Sequence, residues 1–376
     1  MPVPSPQLPR PGTFADIPVG DVVTEAGALI PDVSLRCFLF SDANDEHTPE
    51  ETKAFILVEH ALTGDGDVAS WWSEMVGPGK PLDTRRYRIL CANALGGCQG
   101  STGPGSLHPE GGYWGSRFPG ISIRDQVQAE RQLLHALGID SLHAVLGASM
   151  GGARTLEWTL MYPDMVNAAL VIAVSARASG WQIGMQSSQI RAIEADPAWH
   201  GGDYYEAGPG PVWGLGQARR IAHLTYRGEL EIDERFGVDP QPGEDPYGPC
   251  RGPSHRFSVE GYLDWQAQKL QNRFDAGSYV ALTDALNRHD VGRGRGGMNA
   301  ALGMSQVPTM VAGVDTDILY PFHQQEHLSR NLGNFIGLSK ITSPTGHDGF
   351  LIESRQMGQI LEKFLGKADL LANQLS

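Results

Sequence analysis

The stretch that most constrains this chain runs from His143 to Ala153 and reads HAVLGASMGGA. An apolar run, Ala144-Val145-Leu146, leads into Gly147-Ala148-Ser149-Met150-Gly151 and then into residues able to open a helix. That is the strand, sharp turn, helix order of a nucleophile elbow, with Ser149 at its tip. Glycines on both sides of the serine suit a reversal in which backbone must pass against backbone. The pentapeptide alone is a weak signal in a chain with 47 glycines, where a glycine-rich loop with a capping serine reads the same way. Its flanking strand and helix patterns give it weight.

The rest of the chain supplies the sheet that an elbow needs. Two β-type segments, roughly 22–29 and 33–40, suggest an antiparallel pair at a sheet edge. After the acidic loop 41–52, Ala54 to Val58 and Tyr87 to Cys91 are short continuous apolar runs, as in strands buried on both faces of a parallel sheet. The Gly/Ser/Thr loop 93–104 is a surface loop or a wall of the active-site cleft. Ile123, Val127, Leu134 and Leu137 recur at helical spacing, and Gly138 reads as the C-cap. Strands are expected again at 168–174, 309–314 and 340–343, with helices over 322–332 and through Ile352, Met357, Ile360 and Phe364. Between about Ser175 and Asn299 the pattern is helical and loop-rich, with no apolar strand run. The chain therefore reads as α/β: a mostly parallel central sheet flanked by helices, formed by 13–174 and 300–376, with 175–299 inserted as a helical cap and 1–12 as a flexible, proline-rich tail.

A serine hydroxyl needs a general base, and the base needs a group to hold its tautomer. On an elbow sheet these follow the serine in the order acid, then histidine, each in a loop after a strand. Of twelve histidines, His347 alone sits in a glycine-flanked loop directly after the last strand. Asp315 and Asp317 both follow the penultimate strand. Asp315 is placed to cap the turn, and Asp317 to be fixed by Ile318-Leu319-Tyr320-Pro321. The oxyanion donors expected by position are the N–H groups of Met150 and Leu62.

A formal net charge of −14 argues against nucleic acid as a partner, although a local arginine cluster can still hold an anion. Cys37, Cys91, Cys98 and Cys250 show no zinc-type spacing, so no metal is expected and reduced thiols are. No signal peptide or membrane-length apolar run is apparent, which makes a cytoplasmic protein with no membrane partner the expectation.

HALTGD at 60–65, NALGGCQGSTGPGS at 93–106, FPGISIRDQVQAE at 118–130 and GASMGGARTLEW at 147–158 carry a resemblance that covers about 20–365. ARRIAHLTYRGELEIDERFG at 218–237, RFDAGSYVALTDALNRHD at 273–290, DTDILYP at 315–321 and GHDGFL at 346–351 extend it. Together they resemble the homoserine O-acetyltransferase family of the α/β-hydrolase superfamily. The resemblance implies acetyl transfer from acetyl-CoA, a co-substrate, to the side-chain hydroxyl of L-homoserine in methionine biosynthesis, with no tightly bound cofactor and a homodimer formed through the insertion. It implies Asp317 as the acid. It also implies Arg219 and Asp348 as the residues that hold the amino acid, a guanidinium suiting its carboxylate and a carboxylate its ammonium. Without it, Arg219 reads as a solvated helix arginine. Arg227 is the next candidate, and Thr63 and the loop 96–106 are expected to line the pocket. A succinyltransferase, a serine acyltransferase and a serine esterase are the alternatives on the same fold.

Overall fold

The computed structural model describes residues 8–42, 50–249, 252 and 254–375. Its core is one eight-stranded sheet in the order β1-β2-β4-β3-β5-β6-β7-β8. The strands are β1 (Thr13–Val23), β2 (Leu29–Phe40), β3 (Ala54–Glu59), β4 (Tyr87–Ala92), β5 (Ala144–Ala148), β6 (Ala169–Ile172), β7 (Thr309–Val314) and β8 (Phe335–Ile341). β1 to β2 and β2 to β4 pair antiparallel, and every other neighbouring pair is parallel. The helices, in chain order, are α1 (Val68–Trp71), α2 (Ile123–Ala136), α3 (Met150–Met161), α4 (Gly180–Glu194), α5 (Val212–Tyr226), α6 (Glu229–Phe236), α7 (Ser258–Gln271), α8 (Ala276–Asn287), α9 (Met298–Gly303), α10 (Phe322–Asn331), α11 (Gly349–Ile352) and α12 (Ser354–Leu375).

The continuous apolar strands are continuous because both of their faces are covered. Along β5 and β7, Val145 and Val311 point into a core shared with α2 and α3. Ala144, Leu146, Met310, Ala312 and Val314 point into a second core closed by Met357, Ile360, Leu361 and Phe364 of α12. α2 begins at a capping box, in which Ser122 and Asp125 satisfy each other's backbone N–H groups, and ends where Gly138 turns at φ +70°. Between β6 and β7 the described residues form helices and no strand, and α4, α5, α7 and α8 pack on one another. An isolated antiparallel backbone bridge joins Arg177 to Asp290 where this segment leaves and rejoins the sheet.

The first hairpin differs from the expected one. Its turn falls at 24–28, inside the first expected strand, because Thr24 closes it with both its carbonyl, bonded by Gly27 N–H at 2.8 Å, and its hydroxyl, bonded by Ala28 N–H at 3.0 Å. β1 accordingly begins at Thr13. Leu8 packs on the core and Gly12 N–H donates to Leu39 C=O at 2.8 Å, while the rest of the expected tail, 1–7, lies outside the described residues, as do 43–49 of the acidic loop. β8 begins five residues before the expected strand and ends at Ile341. It is an edge strand, half-exposed along most of its length and lacking the continuous apolar signature. Ile352 closes the short α11 instead of lying in α12. Cys37, Cys91 and Cys98 are free thiols, and Cys250 lies outside the described residues. Among the described residues no helix is long and apolar enough to cross a membrane.

Candidate active site

Four strand ends deliver the candidate residues to one edge of the sheet. β5 ends at Ala148, and Ser149 follows at φ 57°, ψ −122°, a conformation that L-residues seldom adopt. Ser149 N–H donates to Ile172 C=O at 3.0 Å, which pins the turn to β6. The flanking glycines are a steric requirement. A Cβ on Gly151 would stand 2.0 Å from the Glu59 carbonyl oxygen, and one on Gly147 would stand 2.6 Å from the Gly151 backbone. Gly151→Ala is expected to lose about 3 kcal/mol of stability, since backbone of β3 would have to move. Gly184→Ala in α4, where a Cβ meets nothing within 4 Å, should be neutral or gain a few tenths of a kcal/mol. Paired urea melts check both.

β7 delivers the two aspartates, and they do different things. Asp315 Oδ1 accepts Ser343 N–H at 3.1 Å and so ties the β7 loop to the β8 loop. Asp317 is buried, and its Oδ1 accepts the N–H groups of Leu319 and Tyr320, both at 2.8 Å. Its Oδ2 is then left facing His347 Nδ1 at 2.6 Å. His347 lies in the turn Gly346–Asp348, packed among Tyr226, Tyr320 and Phe350. Gly346 turns at φ +71°, and a Cβ there would meet the backbone of Arg227 and Gly228 at 2.8 Å, so the end of α5 lies directly on the histidine turn. The buried Nε2 of His347 has no hydrogen-bond partner among the described residues.

Burial works against a charged imidazole at His347, but the Asp317 carboxylate, by charge and by hydrogen bond, and the Asp348 charge outweigh it and raise its pKa above the usual 6.5. A base must be neutral to take a proton, so activity is present above the raised pKa and is lost as pH falls through it. The acid limb of kcat/KM is therefore expected above pH 6.5, measurable with a fixed acyl donor over pH 5 to 9.

β3 ends at Glu59, and the loop after it carries the second candidate oxyanion donor. Neither the Leu62 nor the Met150 N–H has a backbone acceptor among the described residues, the latter because the first turn of a helix leaves its N–H groups free. The loop is held by groups that sequence reasoning missed. His60 Nε2 accepts Ala94 N–H at 3.0 Å, so its Nδ1 donates to the Ala61 carbonyl at 2.8 Å, and burial lowers its pKa to about 3, which keeps it neutral. Arg154 of α3, fully buried, donates to His60 C=O at 2.7 Å and pairs with Glu59 at 2.8 Å and Glu130 at 2.6 Å. Trp158 Nε1 donates to both glutamates at 3.1 Å. The signal was present: an arginine and a tryptophan, in ARTLEW, on an elbow helix that must be buried against the sheet.

A cavity of about 500 Å³ opens over these residues. Ser149, His347, Leu62, Thr63, Arg219 and Asp348 all line it. Arg219, in α5, lies with its guanidinium carbon 5.5 Å from the Tyr226 ring centroid, and its buried Nε has no hydrogen-bond partner among the described residues. Burial raises the pKa of Asp348, against the pull of His347, Arg219 and Arg227. Arg227 is not in the lining; it is paired with Glu231 at 2.6 Å and lies 3.7 Å from Asp348. The loop 96–106 does not line the cavity either. Thr102 and Ser101 bond it to Ser34 and Arg36 of β2, and a Cβ on Gly103 would stand 2.3 Å from Gly97 C=O, so it is folded onto the sheet. Lys269, Arg273 and Trp71 take that place in the wall. The two cations come from the insertion, where no strand rhythm announces which residues face the sheet.

A constellation of this kind can carry out nucleophilic acyl transfer, with a cation and an anion beside it to orient a zwitterion. Residues 55–354 match the model of the alpha/beta hydrolase fold family. The chain is 73% identical over 368 residues to a homoserine O-acetyltransferase of Corynebacterium urealyticum, covering 97% of this chain and 95% of that one. Among solved structures it is similar to the homoserine O-acetyltransferase from Bacillus anthracis, with a TM-score of 0.82 at 23% identity over 94% of this chain and 97% of that one. It is also similar to esterase E22, with a TM-score of 0.81 at 22% identity over 94% and 99%. At such identities these structures speak for the fold alone.

Proposed function

This chain belongs to the homoserine O-acetyltransferase family, and on that premise we propose that it moves an acetyl group from acetyl-CoA to the side-chain hydroxyl of L-homoserine through an acetyl group carried on Ser149. The product, O-acetyl-L-homoserine, serves methionine biosynthesis. His347 Nε2 takes the Ser149 proton as the oxygen attacks the thioester carbonyl, and the oxyanion is held by the N–H groups of Leu62 and Met150. The intermediate collapses, the C–S bond breaks, and the proton on His347 goes to the departing CoA thiolate. Homoserine then gives its hydroxyl proton to His347, attacks the acetyl-serine, and leaves acetylated as Ser149 recovers its proton. Donor and acceptor use one site in turn, so the kinetics are ping-pong.

The observation that carries the acceptor assignment is Arg219, an arginine with an unpartnered Nε, in one cavity with Asp348 and Ser149. An ester hydrolase needs neither charge. The geometry suits a zwitterion whose carboxylate meets Arg219 and whose ammonium meets Asp348. Water is outcompeted when the acceptor hydroxyl is held against the acetyl group and the helices from 175–299 keep solvent away, which is the role we assign to that segment over a core of 13–174 and 300–376. We further propose a homodimer, as the family resemblance implies, and a cytoplasmic location, as expected from a sequence in which no signal peptide or membrane-length apolar run is apparent.

A matrix of acetyl- and succinyl-CoA against L-homoserine, L-serine and water tests the proposal. Acetyl-CoA with homoserine should be the preferred pair, with serine, one methylene shorter, about 10- to 200-fold less efficient. Thiol release that ignores homoserine would instead make the protein an esterase of the kind its fold neighbour represents.

A further inference from the structure

The cavity holding Ser149 and His347 is lined by three cations, Arg219, Lys269 and Arg273, and by two carboxylates, Asp65 and Asp348. This surplus of positive charge sits on a chain whose formal net charge is −14. Arg219 faces Asp348 closely enough to act on its ionisation and is accounted for by the acceptor's carboxylate. Arg273 feels the charge of Asp65 across the cavity without forming an ion pair with it, and Lys269 has no carboxylate at ion-pair distance among the described residues. Lys269 lies in the last turn of α7, and Arg273 follows four positions on, just past the helix end. Arg273 Nη1 donates to Thr63 C=O at 2.7 Å, next to Leu62, and Lys269 Nζ stands 4.3 Å from the Trp265 ring centroid. Both side chains reach solvent at the cavity's edge, and among the described residues neither pairs with a carboxylate.

In so acidic a protein a surface cation readily finds a carboxylate, so two unpaired ones at the mouth of a catalytic cavity leave a focused positive field. The reacting thioester and the phosphates of CoA stand at opposite ends of its pantetheine arm. A donor with its thioester at Ser149 therefore carries its phosphates outward, to the mouth. Guanidinium and ammonium groups are the ordinary protein partners of phosphate.

We infer that Lys269 and Arg273 form the subsite for the phosphate groups of the acyl-CoA donor, leaving Arg219 to the acceptor. The inference rests on the acetyl-transfer reading above. Charge-assisted contacts of this kind predict that Lys269→Ala raises KM for acetyl-CoA about tenfold with kcat little changed, and that Arg273→Ala raises it by a similar factor while also lowering kcat, because the Thr63 carbonyl beside the oxyanion donor Leu62 loses its hydrogen bond. S-acetylpantetheine has the same reacting end and no phosphate, and its KM should move less than about twofold. In the wild type, KM for acetyl-CoA should climb with added salt while that for S-acetylpantetheine does not, and in the double variant this difference should vanish.

Equal effects on the two donors would overturn the subsite, since the side chains would then be shaping the cavity and not reading phosphate. An unchanged KM for acetyl-CoA in the double variant would overturn it as well. The parent reading fails differently: a wild-type protein that hydrolyses 4-nitrophenyl acetate but makes no acetylhomoserine from either donor removes the acyl-CoA reaction itself, and the subsite with it.

Discussion

Ser149→Ala is expected to lower kcat by about 10⁴- to 10⁶-fold, with the protein still folded. The size of the loss follows from the mechanism: without the hydroxyl no covalent acetyl intermediate forms, and direct attack by homoserine on acetyl-CoA would have to use a site built for two successive half-reactions. The fold should survive because the backbone here is set by its neighbours. Gly147 and Gly151 allow the close approach of β3, and Ile172 C=O holds the Ser149 N–H whatever the side chain. Alanine at φ 57° is as strained as serine, so the melting temperature should barely move. Ser149→Gly removes that strain and should be more stable by about 1 kcal/mol, although equally inactive. Steady-state rates with acetyl-CoA and homoserine, set beside thermal melts, check both halves of the expectation.

Asp317→Asn is the second large effect, about 10³- to 10⁴-fold in kcat. The carboxylate has two jobs at once. Its Oδ1, held by the Leu319 and Tyr320 N–H groups, fixes its position, and its Oδ2 accepts a hydrogen bond from His347 Nδ1–H at 2.6 Å. That bond leaves Nε2 as the free base facing the cavity. An asparagine keeps the size but can present its amide N–H to Nδ1, favouring the tautomer with the proton on Nε2, which cannot accept one from serine. Removing the negative charge also removes the main support for a charged imidazole, so the acid limb of the pH profile should move to lower pH in the variant. A plain loss of folding would lower the rate without moving the limb, which separates the two explanations.

What could be read from the sequence was whatever chemistry leaves only one way to build. The elbow glycines are forced by backbone contacts as short as 2.0 Å for an added Cβ, and glycine is the only residue that answers. β3, β5 and β7 announced themselves because strands covered on both faces carry nearly continuous apolar runs. β8 lies at the sheet edge, half-exposed, and blurred into its flanks. The choice between Asp315 and Asp317 was open to local reasoning because both follow the same strand. It is long-range contacts that separate them, Ser343 for one and His347 for the other. The same limit hid the cavity wall. The loop 96–106 looked like a cleft wall by composition but is folded onto β2, whereas Lys269 and Arg273 reach the cavity only because α7 packs on α5 above the sheet edge. Arg154 stood in plain view as a charge in the elbow helix, yet its partners lie in other elements, Glu59 at the end of β3, Glu130 in α2 and the His60 carbonyl ninety-four positions away in the chain.

The central claim is that acetyl resides on Ser149 between donor and acceptor. Mixing the protein with acetyl-CoA alone, quenching, and mapping the peptide that spans residue 149 by mass spectrometry tests it directly. The account predicts one acetyl group on Ser149 with release of an equal amount of CoA, then its complete discharge to O-acetylhomoserine when homoserine is added. An unmodified Ser149 in an enzyme that still acetylates homoserine, or an acetyl-serine that yields acetate at the same rate with and without homoserine, would contradict it.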